Sequence, residues 1–284
     1  MKKIKDIVIA CIMGSVIVGG CNSGKTTDSA DEVVQRVAAR SDTASAPQKV
    51  SMVISSIPFP ISILDTLHFV HAKYQSTLAN PVENSSLYSQ SNSQAINLGI
   101  YGADLSYVIS FEQFGQVGKY MKATKYLADK TGVPMAFTED IIARCEKNSN
   151  NKDSLTVIVY GSYSLIDRTL KSDKRKATEA LVLAGGWVEA LYLTTQSMEA
   201  LISPTDRQGG YYIILEQSKY LDVLLNQLDL VTDSPYCQDI STGLHEIRSV
   251  YNNVTSSNIN DEVIKTLKEK VENLRARITK GGNV

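Results

Sequence analysis

The chain has little of what most catalytic sites and nucleic-acid surfaces are made from. Histidine occurs three times in 284 residues, at His68, His71 and His245, and the zinc-hydrolase signature His-Glu-x-x-His is absent. No Gly-x-Ser-x-Gly elbow, P-loop or dinucleotide fingerprint occurs, and Gly24-Lys25-Thr26-Thr27 carries only the tail of a P-loop. Charge of one sign is missing as well. Twenty-nine Lys and Arg balance thirty Asp and Glu for a net −1, which leaves no basic stripe for nucleic acid. The densest basic patch, Lys171-Ser172-Asp173-Lys174-Arg175-Lys176, reads as a solvated turn. After residue 21 no apolar run approaches the roughly 20 residues needed to cross about 30 Å of hydrocarbon. Cysteine is scarce too, with only Cys145 and Cys237 beyond the N-terminal stretch that holds Cys11 and Cys21.

What is present begins with that stretch. Lys2, Lys3 and Lys5 precede a short apolar run, Ile7 to Val18, and Val18-Gly19-Gly20-Cys21 follows. This is the layout of a secretory signal peptide. Ending on cysteine, it resembles the lipobox of bacterial lipoproteins. The resemblance implies a signal peptide over 1–20, a covalent lipid on Cys21 and no other cofactor. One acyl chain holds a protein only marginally, at about 0.8 kcal/mol per buried CH₂, whereas two or three make a lasting anchor. Residues 21–52 are rich in Ser, Thr, Ala, Asp and Gly and read as a flexible tether spanning roughly 30 Å. Asn22 resembles the outer-membrane sorting signal. Surface lipoproteins of the Bacteroidota often carry acidic residues after the cysteine, and Ser23-Gly24-Lys25 departs from that, so either face of the membrane remains open. Asp28-Ser29-Ala30 and Asp42-Thr43-Ala44 resemble that phylum's O-glycosylation tripeptide. An exported location also permits, but does not require, a Cys145–Cys237 disulfide.

Residues 53–284 read as a single all-α domain, a bundle of about eight to ten helices, because apolar residues recur at helical spacing and sustained alternation is absent. Order is expected near Pro58. Helices are predicted over Asn92–Phe111, Glu112–Thr131, Asp153–Lys171, Lys174–Leu201, from Ser203-Pro204 to Val231, Pro235–Asn252 and Asn260–Lys280. Thr138 is the expected N-cap of a further helix, and Gly132-Val133-Pro134 an expected terminator. Ala95 to Tyr107 can be laid on Ala180 to Tyr192 without a gap, placing Asp104 over Glu189. This predicts a duplicated three- to four-helix unit, with halves at about 58–150 and 151–284. Both stretches hold small residues, Gly99, Gly102 and Ala103 in one and Ala184, Gly185 and Gly186 in the other. A mid-helix Gly costs up to about 1 kcal/mol, so close packing of these two helices at the centre of the core is expected.

The candidate polar site is Asp104 and Glu189, acids inside apolar helices, with Tyr107 and Tyr192 beside them. A facing carboxylate pair suits acid–base work or a metal. Against that stands a buried acid satisfied by Tyr101, Tyr107, Tyr192 or a helix N-terminus. His68 and His71, three apart on one expected helix, would make half a metal site. Fourteen tyrosines against the single Trp187 suggest either a tyrosine-lined groove or core-edge residues. The resulting expectation is a helical outer-membrane lipoprotein of Bacteroidota type, binding or scaffolding at the envelope, with a protein partner and no catalysis. Two alternatives are a metal-assisted hydrolase built on His68, His71, Asp104 and Glu189, and an accessory subunit of an outer-membrane transport or secretion complex.

Overall fold

The computed structural model describes residues 53–231 and 233–280; the leader, Cys21, the tether and the closing Gly281-Gly282 lie outside them. A two-stranded hairpin, β1 (Val53–Ile54) and β2 (Ile57–Pro58), opens this part of the chain. It leads into α1 (Pro60–Leu64), a 3-10 turn over Asp65–Val70 and another over Val82–Leu87. Then come α2 (Ser91–Ser110), α3 (Phe114–Lys130), α4 (Glu139–Lys147), α5 (Lys152–Ser172) and α6 (Lys176–Ser197). The rest is α7 (Pro204–Glu216), α8 (Ser218–Asp229), α9 (Pro235–Tyr251) and α10 (Asp261–Thr279). The fold is all-α, as the periodicity predicts.

Local chemistry sets the helix ends. The side chains of Thr138, Asn151, Ser234 and Asn260 each accept a backbone N–H from the first turn of α4, α5, α9 and α10. Gly132 ends α3 in the left-handed region at φ 74°, and the Val133 N–H reaches back to the Ala128 carbonyl. Elsewhere the structure departs from expectation. The helix predicted to run unbroken to Val231 divides at Gln217. There the Gln217 amide and the Ser218 hydroxyl take the carbonyls of Ile213 and Leu215, in competition with the helical ladder. The Ser203 hydroxyl makes no capping bond. Cys145 and Cys237 are both free and buried, so they are not a disulfide, and burial pushes the Cys145 thiol up to about 11. The basic patch is partly engaged rather than solvated: Arg175 donates to the Thr131 carbonyl at 2.7 Å.

Helices α2 and α6 sit at the centre, as their small residues predict. From Gln94 to Ser110 every residue of α2 is buried, so this helix has no solvent face. The two backbones nearly touch. A Cβ added at Gly99 would stand 2.0 Å from the Val182 carbonyl oxygen, and one at Gly185 would stand 1.9 Å from that of Ile96. Gly99 thus lies opposite the Val182–Gly186 turn and Gly185 opposite Ile96–Ile100. Five residues beyond Gly99, Asp104 meets Glu189. Contacts at one near-constant offset make the pair parallel, in the same register that superimposes the two sequences. One continuous apolar core, from Ile54 to Ile278, surrounds it.

Candidate functional site

Asp104 on α2 and Glu189 on α6 do face each other, and both are 0% exposed. The group that satisfies Glu189 is Arg275 on α10, not a tyrosine or a helix N-terminus. Its Nε donates to one Glu189 oxygen at 2.6 Å and its Nη2 to the other at 2.8 Å. A bidentate fork of this kind is the strongest form of charge-assisted hydrogen bond. The guanidinium lies over the Tyr192 ring, 4.0 Å from the centroid, and the arginine side chain keeps only 14% exposure.

Asp104 has a different electrical state. Its Oδ2 accepts the Asn80 N–H at 3.2 Å, whereas Oδ1 has no donor. Burial first, and the Glu189 carboxylate second, push its carboxyl well above the usual carboxylate range; Arg275 opposes both without cancelling them. Keeping its proton spares Asp104 a second negative charge beside the Glu189 carboxylate. The cluster is then neutral, with one carboxylate, one guanidinium and one carboxylic acid. Three ionised groups would bury an unpaired charge at a cost of several kcal/mol.

The same cluster holds an irregular stretch of backbone. Residues between the two 3-10 turns have no helical ladder to satisfy them. Arg275 Nη2 also reaches the Leu78 carbonyl and Asn80 Oδ1, each at 3.2 Å. Tyr120 donates to the Asn80 carbonyl at 2.9 Å and Tyr101 to that of Pro81 at 2.7 Å. The Tyr107 hydroxyl accepts the Gln75 N–H at 2.9 Å. Burial pushes the Tyr107 phenol up to about 12 and raises that of Tyr192. Tyr101, Tyr107 and Tyr120 are therefore buried fasteners of the 75–81 segment and line no groove. In this network Asn80 Nδ2 and Asp104 Oδ1 lack a hydrogen-bond partner.

The histidines take no part. His68 and His71 do not share a helix: His68 lies in a 3-10 turn, and His71 ends it in the left-handed region at φ 54°. His68 Nε2 bonds the Ser110 carbonyl at 2.6 Å, His71 Nδ1 bonds Asp206 at 2.9 Å, and His245 lies 3.8 Å from Asp229. Among the described residues no group of three or more His, Cys, Asp or Glu is placed to hold a metal. None of the described helices is long and apolar enough to cross a membrane.

Arg275 is the functional residue that sequence reasoning misses. It stands four residues after Val271 and next to Leu274, on the apolar stripe of α10, and a charge in that place was the available signal. No protein-family model, curated protein or solved structure matches the chain.

Proposed function

We propose that this is a lipid-anchored envelope protein whose helical body binds or scaffolds and does no chemistry at its buried acids. The observation that carries the reading is the Arg275–Glu189–Asp104 cluster. A general acid, a general base or a metal ligand must reach a substrate. Here both carboxyls are sealed at 0% exposure, and their hydrogen bonds are spent on a guanidinium and on backbone. The two histidines that a metal-assisted hydrolase would recruit, His68 and His71, bond other partners, the Ser110 carbonyl and Asp206. The leader and Cys21 support the membrane attachment, and a tether of the length of residues 21–52 would hold the body clear of the headgroups.

Cell fractionation of Cys21→Ser tests the anchor. The variant is expected to leave the membrane pellet for the soluble fraction while wild type stays. A variant that pellets as firmly as wild type would overturn the reading.

A further inference from the structure

Helix α5 buries one face and leaves the other bare. Leu155, Ile158, Val159, Ser162, Ile166 and Leu170 point to the core. On the outer side Asp153, Val157, Gly161 and Arg168 are exposed, and Ser164 is half-buried among them. Steps of four, seven and four residues place Asp153, Val157, Ser164 and Arg168 on one line along the helix. Two features set that line apart from an ordinary solvated face. From Ser154 to Ile166 the helix carries no charge, and within that stretch Val157 is 58% exposed. Gly161 is the other: a Cβ there would meet nothing within 4 Å, so no contact inside the molecule calls for glycine, which weakens a helix interior. Gly115 and Gly118 of α3 are as open, but exposed Lys119 and Lys122 follow them and would repel a like surface.

Charge returns at the two ends of the line, with opposite sign. Lys152 pairs with Asp65, and Asp167 with Lys171. Asp153 and Arg168 have no ion pair among the described residues. They stand about 22 Å apart along the helix, and the midpoint between them falls at Tyr160 and Gly161. The line is therefore its own complement when reversed. In an antiparallel pair of α5 helices centred at that midpoint, Asp153 of each copy faces Arg168 of the other, and Val157 faces Ser164. The two Gly161 residues then lie beside the two-fold axis, where the backbones pass closest.

We propose that the outer face of α5 is a self-association surface whose partner is a second copy of this chain, bound antiparallel about a two-fold axis. Such an interface is isologous, so every contact is made twice. A seam one helix wide falls below the roughly 1,200 Å² of stable complexes, which makes the dimer weak in solution. Chains held in one membrane plane would meet at a higher effective concentration. This names a partner for the scaffolding proposed above and rests on that reading only for its purpose. Self-association belongs to the helical body, so it and the Cys21→Ser fractionation can fail separately.

Sedimentation equilibrium of the purified full chain should show a monomer–dimer equilibrium between about 10 and 500 µM. Arg168→Glu and Asp153→Lys each set like charges together at both ends of the seam, and each should weaken the dimer about tenfold or more. Mixing these two variants in equal amounts should restore it, because an Arg168→Glu chain and an Asp153→Lys chain meet with both charge pairs opposite. The double variant should recover wild-type association to within about threefold. Gly161→Cys should cross-link to a second copy through a short bismaleimide far more than wild type, whose Cys145 and Cys237 are buried. All three positions are exposed, so circular dichroism should be unchanged. A chain that stays monomeric up to about 0.5 mM would overturn the proposal. So would single variants that dimerise like wild type, a mixture that stays monomeric, or a Gly161→Cys chain that cross-links no more than wild type.

Discussion

At Gly99 and Gly185 the seam between α2 and α6 is closed by omitting side chains; about a turn and a half further on, at Asp104 and Glu189, it is filled with charge. The first solution brings two backbones to within the width of a missing methyl. The second keeps the helices together through a third element, because the acids are tolerable only with Arg275 between them and the irregular 75–81 segment. The glycine end should therefore resist additions, and the acid end should resist removals.

The largest effect is expected at the acid end. Arg275→Ala leaves Glu189 as an unpaired carboxylate in the core and should cost about 3–5 kcal/mol in denaturant unfolding. A loss below 1 kcal/mol would mean that the cluster is not a strut. Next comes Gly185→Ala. Its Cβ would fall 1.9 Å from a backbone oxygen, so the helices must separate, at about 1–3 kcal/mol, although alanine is the better helix former. Gly186→Ala, one residue along, meets nothing closer than 3.4 Å and should be neutral or stabilising. Equal effects at 185 and 186 would erase the distinction. Glu189→Gln should cost less than Arg275→Ala, about 2 kcal/mol, because Asp104 then loses its anionic neighbour and ionises as the counterion of Arg275.

Much of this was legible in the sequence. Periodicity and terminators such as Gly132 gave the helices, and the small residues of two stretches gave the central pair. The facing of Asp104 and Glu189 followed from aligning those stretches. What stayed hidden depends on long-range contacts. Its place on the apolar stripe of α10 sets Arg275 apart from Arg277, which lies at the surface 3.8 Å from Asp239, but the partners it meets there come from distant parts of the chain. The hairpin was missed because its turn is Ser55-Ser56 rather than the Asn-Gly or Asp-Gly that announces such turns. The break at Gln217 has neither proline nor glycine to mark it. His68 and His71 looked paired only under the assumption of a regular helix, which His71's left-handed backbone breaks.

The central claim, that Asp104 keeps its proton beside the Arg275–Glu189 pair, is tested most directly by comparing wild type with Asp104→Asn across pH. The asparagine amide can donate to Glu189 and its oxygen can accept from Asn80, so the fold is preserved. An unfolded aspartate titrates near about 3.9, and the folded Asp104 titrates higher. Its contribution is therefore fully present below about pH 4 and is lost as pH rises toward the folded value. The stability of Asp104→Asn relative to wild type should climb from about pH 4 upward, by up to about 1.4 kcal/mol per pH unit, until Asp104 ionises. A difference that stays flat, or that shrinks with rising pH, would show Asp104 to be ionised in the core and would contradict the account.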